Sequence, residues 1–175
     1  PGIRPEGSFA SSWDGTEEEQ IREITRTIIE LHRKGWQICV HSCGGGSMDC
    51  CIEALAQANQ TYPGKDLRHF LIHVDDQTEN TARKMAKNGI LAAIQPTAAN
   101  IVFGWNTPVL TDKEMICNYQ RYADLGEIQC GSSDSTCFSM NWRQGMQFCV
   151  TRTTLDGYCA RPDLGMKREE AIRMY

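Results

Sequence analysis

An α/β domain built from parallel strand–helix units is the fold class that the sequence predicts. Three observations carry it. Short apolar, partly β-branched runs alternate with stretches of helical periodicity, the pattern of a parallel sheet with helical crossovers. Glycine or proline punctuates most of the boundaries. The chain has 175 residues, 41% of them hydrophobic, enough for one domain with its own core.

Residues 1–15 carry Pro1, Gly2, Pro5, Gly7 and Gly15 and have loop composition. Residues 16–175 are expected to hold one helix followed by four strand–helix units. The first helix opens with a capping box, Thr16 with Glu19 three residues on. Ile21, Ile24, Ile28 and Leu31 give it an apolar stripe, and Lys34-Gly35 stops it. Residues 36–41 read as a buried strand that halts at Gly44-Gly45-Gly46. A helix over roughly 47–59 follows, with Met48, Ile52 and Leu55 on one face. After a turn at 62–66, residues 68–74 form the second strand, 78–88 a helix stopped by Gly89, and 90–95 the third strand, ended by Pro96. A longer loop over 97–110 presents Phe103, Trp105 and Asn106 as candidate pocket residues, with plain packing as the alternative. Residues 111–125 read as a helix, 127–130 as the fourth strand, and 141–152 and 167–175 as the last two helices.

The formal net charge of −4 and the pI near 5.6 leave no basic footprint for nucleic acid. No apolar run approaches the roughly 18 residues of a membrane span, and no basic-then-apolar leader opens the chain, so a cytoplasmic protein is expected. Pro1 in place of an initiating Met points to a processed or excised piece. The nine cysteines have irregular spacing and no Cys-x-x-Cys pair, which argues for reduced thiols and against a cysteine-based zinc site. Cys39, Cys117, Cys130 and Cys149 sit in apolar contexts and read as small core residues.

The chemistry gathers at the carboxyl ends of the strands, where parallel α/β folds bind ligands. The first strand ends at His41, the second at His73, the third at Gln95, and the fourth leads into Asp134. Two imidazoles and a carboxylate on one rim are zinc-type ligands, and an open site of that kind activates water. A single strand-end histidine is more often a hydrogen-bonded structural residue, and it is the gathering of three metal-competent residues at strand ends that keeps both readings open at this point. His32, late in the first helix, reads as solvated, and His69, at the far end of its strand from His73, as structural. Asp75 and Asp76 read as caps of the next helix. The Gly44–Gly46 run is a weak candidate for a phosphate cradle, as in a flavodoxin-like domain.

In these residues the chain resembles the amidohydrolase superfamily, and within it the group of N-substituted formamide deformylases. Such proteins follow the fifth barrel strand with a pattern like His-Ala-x-Gly-Asp, here His41-Ser42-Cys43-Gly44-Gly45. Their sixth strand carries Arg-His-x-x-x-His, here Arg68-His69-Phe70-Leu71-Ile72-His73. A Gln-Pro ends the seventh strand, as Gln95-Pro96 does, and a Gly-Ser-Asp ends the eighth, matched with one extra residue by Gly131-Ser132-Ser133-Asp134. Thr151-Arg152 and Glu169-Glu170-Ala171 fit the downstream pattern. Gly45 stands where an acidic residue is usual, and Ile72 where a glutamate commonly precedes the histidine. The family's first-strand His-x-His is nowhere in the sequence.

The resemblance implies the second half, strands five to eight, of a TIM-type (β/α)₈ barrel, whose complete form needs about 250 residues. It implies a divalent metal, Zn²⁺ first, held by His41, His73 and Asp134, with Asp134 also the general base in hydrolysis of an amide or other C–N bond of a small-molecule substrate. With only part of the ligand set present, the chain alone is expected to hold metal weakly and not to catalyse. Its sheet edges would invite a homodimer. A non-catalytic α/β small-molecule binding domain using the same rim is the competing expectation.

Overall fold

The computed structural model describes residues 15–74, 77–98, 117–159 and 161–175. The elements in chain order are α1 (Glu17–Arg33), β1 (Cys39–Ser42), α2 (Gly45–Thr61), β2 (Phe70–His73), α3 (Glu79–Lys87), β3 (Leu91–Ile94), α4 (Tyr119–Asp124), β4 (Gln129–Gly131), α5 (Trp142–Thr151), a 3₁₀ turn (Pro162–Leu164) and α6 (Arg168–Arg173). The four strands form one sheet in the order β1-β2-β3-β4, and every pair is parallel. The expected succession of parallel strand–helix units is therefore the fold.

Local chemistry explains the helix ends. The Thr16 hydroxyl accepts from the Glu19 amide at 3.3 Å, and the Glu19 carboxylate accepts from the Thr16 amide at 2.8 Å, so the capping box closes as its spacing predicts. The Thr78 hydroxyl caps α3 in the same way, accepting from the Thr81 amide. The glycine run is a different matter. Gly44, at φ +89°, is the N-cap of α2, and Gly45 and Gly46 are its first turn. The helix thus starts two residues earlier than its apolar periodicity suggests, because only the cap needs the left-handed backbone that glycine allows.

The core lies between the sheet and its helices. Leu71, Ala92 and Ile94 point to this side and are fully buried, with Ile28, Met48, Ile52, Leu55, Met85 and Phe148 packed over them. The register Cys39↔Phe70↔Leu91 and His41↔Ile72↔Ala93↔Cys130 defines the other face. Cys39, His41 and Cys130 on it are exposed, and Phe70, Ile72, Leu91 and Ala93 only partly covered. This corrects the reading of Cys39 and Cys130 as core residues: strand alternation puts them on the face that no described element covers. Cys117 and Cys149 are buried as expected. Met174 and Tyr175 pack against the outer edge of β4. The Gly131 amide donates to the Met174 carbonyl at 2.8 Å, and a Cβ at Gly131 would meet the Tyr175 ring at 2.6 Å, so any larger residue there would displace that ring.

His32 is also corrected. It is completely buried, not solvated, and sits one helical turn after Ile28 on the same face. Its partner is His69, buried as a structural residue. The hydrogen bonds settle both tautomers. The Ile38 amide donates to His69 Nδ1 at 3.0 Å, so His69 Nε2 carries the proton and donates to His32 Nδ1 at 2.8 Å. His32 Nε2 then donates to the Tyr62 carbonyl at 2.9 Å. The relay ties α1, the start of β1 and β2, and the end of α2 into one unit. It requires both rings neutral, and burial, then His32, lowers the His69 pKa.

Beside β4, Glu127 is buried with its carboxylate accepting from the Gln77 and Gln129 side-chain amides. Desolvation pushes its pKa up to about 7. The two donated hydrogen bonds favour the charged form, and burial outweighs them.

These two groups give opposite pH trends. The raised Glu127 pKa contributes stability that is complete below its unfolded value of 4.5 and lost as pH rises through about 7. The lowered His69 pKa contributes stability that is complete above its unfolded value of 6.5 and lost as pH falls. Glu127→Gln is expected to stabilise the chain at pH 8, by on the order of 2 kcal/mol, and much less at pH 5. In that variant the residual slope between pH 7 and 5 has one sign, with stability falling toward acid. Urea unfolding at half-unit pH intervals measures both effects, and an unchanged pH profile in the variant rejects the assignment to Glu127.

Candidate metal centre

His41 lies in β1 and points to the open face of the sheet, next to Cys39 in the alternation. His73 is the last residue of β2 and pairs in register with Ser42, which is buried beneath the helices. Alternation alone would send His73 to that covered side with Leu71. It does not go there because the backbone turns left-handed at His73, φ +77°, and again at Val74, φ +49°. A positive φ in a β-branched residue such as Val74 is rare and costs of order 1 kcal/mol or more. The turn is held by the Val74 amide, which donates to the Ser42 carbonyl at 3.2 Å, and by burial of the Val74 side chain. Its result is that the His73 ring stands edge-on to His41, with centroids 4.5 Å apart and planes at 83°.

Gln95 fixes which nitrogen of His73 is available. The Gln95 amide nitrogen donates to the Ala93 carbonyl at 3.0 Å and to the Ser132 hydroxyl at 2.7 Å, so its oxygen faces His73. That oxygen is 2.8 Å from His73 Nδ1 and can only accept. Nδ1 therefore bears the proton, and the Nε2 lone pair is left for a ligand. A histidine whose second nitrogen donates to a carbonyl is the usual arrangement around a bound metal. Gln95 is itself buried, and Ser132 is anchored by its own amide to the Ile94 carbonyl at 2.8 Å.

A third side chain joins the two histidines. The donor atoms of His41, Cys43 and His73 all lie within 4.8 Å of one another, and Cys43 Sγ is 3.8 Å from His41 Nε2. Two imidazoles and a thiol are a donor set that suits a divalent metal of intermediate softness. Cys43 belongs to no Cys-x-x-Cys pair, so cysteine spacing does not point to it. The signal present is His41-x-Cys43, a two-residue step that brings both side chains to one side where a strand ends.

Asp134 does not enter this cluster. It follows β4 on the turn where its carbonyl accepts from the Cys137 amide at 2.8 Å, with its own backbone at φ +52°. The extra serine relative to Gly-Ser-Asp sets it one residue further from the strand end, and Ser132 is spent on Gln95. The glycine run Gly44–Gly46 forms the start of α2 beside the cluster, where the Ser47 hydroxyl donates to the Cys43 carbonyl at 2.6 Å. Phe103, Trp105 and Asn106, and the capping candidates Asp75 and Asp76, lie outside the described residues.

The model of the amidohydrolase family matches residues 4–175. The chain belongs to the amidohydrolase family. Two solved structures resemble this family member over nearly all of its length. An uncharacterised metal-dependent hydrolase from Pyrococcus furiosus superposes with a TM-score of 0.71 at 16% identity, covering 99% of this chain and 33% of its own. An uncharacterised metal-dependent hydrolase from Pyrococcus horikoshii OT3 gives 0.72 at 13% identity, covering 89% of this chain and 31% of its own. The amidohydrolase chain thus spans about a third of the length of these structures. With four parallel strand–helix units in chain order, it has the expected architecture of part of a TIM-type barrel. No curated protein sequence gives a significant match.

The tautomer assignment is directly testable. Long-range ¹H–¹⁵N spectra of the metal-free protein above pH 8 should show His73 protonated at Nδ1, and Gln95→Leu should return it to the Nε2–H form that imidazole prefers in water. An Nε2–H signature for His73 in the unmodified protein rejects the role given to Gln95.

Proposed function

We propose that this chain is the part of a metal-dependent amidohydrolase that carries His41 and His73 as metal ligands and Asp134 as proton carrier, acting on an amide or other C–N bond of a small molecule. The observation that supports it best is the left-handed turn at His73 and Val74, a strained backbone that serves to aim one imidazole at another. The donor set fits Zn²⁺ or a similar divalent ion, which when bound supplies Lewis-acid polarisation of a carbonyl or of water. Every other part of the proposed mechanism belongs to side chains. Gln95 holds the His73 ring in the ligating tautomer. Asp134, past the carboxyl end of β4, would take a proton from the attacking water and hand it to the departing nitrogen. The formamide-deformylase-like substrate class rests on the ordered motifs from His41–Gly45 through Arg68–His73 and Gln95-Pro96 to Gly131–Asp134, with Thr151-Arg152 and Glu169–Ala171 downstream.

The open row of Phe70, Ile72, Leu91 and Ala93 supports the view that further strands of a parent barrel cover this face. In the 175-residue chain by itself the same row and the edge strand β1 would draw a second copy, so mass by light scattering should rise with concentration. Among the described residues no helix is long and apolar enough to cross a membrane. A reducing, cytoplasmic setting belongs to this reading, since it keeps the nine cysteines as thiols.

The parent protein containing this segment should bind a divalent metal and hydrolyse members of a panel of N-formyl and N-acyl amines. His41→Ala and His73→Ala should each lower kcat/KM at least 100-fold, and Asp134→Asn should lower kcat with metal content unchanged. The 175-residue chain alone should give no turnover. Full activity in the His73→Ala parent is the outcome that overturns the assignment.

A further inference from the structure

We infer that Cys43 is a third protein ligand, so that this chain alone holds a thiophilic divalent metal through His41, Cys43 and His73 with a fourth position left open. The inference rests on the reading of His41 and His73 as ligands and goes beyond it in two respects. It adds a sulfur that the family pattern does not require, and it removes the need for ligands from any other part of a barrel.

The distances carry it. A tetrahedral zinc with a Zn–S bond of about 2.3 Å and a Zn–N bond of about 2.05 Å spaces sulfur and nitrogen by roughly 3.6 Å. Cys43 Sγ and His41 Nε2 are already 3.8 Å apart. The largest separation within the three-atom cluster is at most 4.8 Å, so a small side-chain movement completes the set. His41 and His73 lie on two strands whose relative position is set by ladder hydrogen bonds, and Cys43 follows β1 directly, one residue past its end. Gly44, left-handed at φ +89°, turns the chain directly after Cys43 into α2, which keeps the thiol beside His41 instead of carrying it away along the strand. His73 presents Nε2 because Gln95 occupies Nδ1. Cys43 and His41 are exposed and His73 half-buried, so an ion has access and the fourth position faces solvent. Three protein ligands with an open fourth position is the pattern of a catalytic zinc site, not of a closed structural one. When the metal–sulfur bond forms, the Cys43 thiol proton leaves to solvent, and the ion is bound as a thiolate complex.

Co²⁺ is the probe, because a thiolate on Co²⁺ gives a near-ultraviolet sulfur-to-metal charge-transfer band that imidazole ligands do not. The reduced 175-residue chain titrated with Co²⁺ should show that band together with visible bands of tetrahedral intensity, saturating at one ion per chain, and Zn²⁺ should displace it. Cys43→Ser should lose the charge-transfer band, and Cys39→Ser, on the same open face, should keep it. Cys43→Asp should keep the visible bands and lose only the sulfur band, which separates loss of the ligand from loss of the fold. Co²⁺ bound without the sulfur band, or a band that survives in Cys43→Ser, overturns the inference. Hydrolysis by the parent protein is a separate readout: it can fail while the cobalt spectrum stands, or persist while the sulfur band is absent.

Discussion

Parallel pairing of β1 with β2 in one register is the constraint on which the rest depends. With His41 opposite Ile72 and Ser42 opposite His73, residues distant in sequence meet at the carboxyl end of the sheet. A slip of one residue would exchange the two faces of β1, burying His41 under α2 and turning Ser42 to solvent. The register is secured at both ends. Before the strands, the Phe70 amide donates to the Ile38 carbonyl and the histidine relay joins Ile38 to His69 and His32. After them, the Val74 amide donates to the Ser42 carbonyl.

Burial on one face and chemistry on the other follow from this. The helix-covered side is filled by Leu71, Ala92 and Ile94, so it is settled by apolar area and packing. The open side carries His41, Cys39 and Cys130 with partly covered apolar residues. Only at His73 does a residue change sides, and there the backbone enters an unfavourable region to do it. The interaction that follows, through Gln95 to Ser132, reaches across β3 to the loop after β4, so three strand ends share one hydrogen-bonded chain. Surface ion pairs between helices, such as Arg121 with Glu79 and Lys84 with Asp49, add little by comparison, since exposed pairs contribute roughly 0.2–1 kcal/mol each.

Much of this was legible in the residues. The α1 capping box, the four strands in order, and His41 and His73 at strand ends all follow from periodicity and punctuation. What was not legible depended on tertiary context. Cys39 and Cys130 look like core residues because their neighbours are apolar, and only the alternation of a sheet with one open face sends them outward. His32 looks solvated because it is polar and near a helix end, although its spacing from Ile28 already placed it on the buried face. Its cost of burial is offset by two hydrogen bonds that no local pattern announces. The early start of α2 was hidden by the low helix propensity of glycine, which matters less in a first turn that makes no intrahelical N–H bonds. Asp134 was placed by its position after the fourth strand as well as by its motif, and it stands outside the cluster of His41, Cys43 and His73.

The four histidines divide by end of the sheet. His32 and His69 lie where the strands begin, and every ring nitrogen of theirs is spent in a chain of donors whose direction is set by the Ile38 amide. His41 and His73 lie where the strands finish, one tuned by Gln95 and neither required for the core. The same two strands thus carry two kinds of histidine at opposite ends, one kind spent on structure and the other left with a free face. At the finishing end the Val74 amide and the buried Val74 side chain hold the backbone, so the His41 and His73 side chains can be replaced there without removing a register contact.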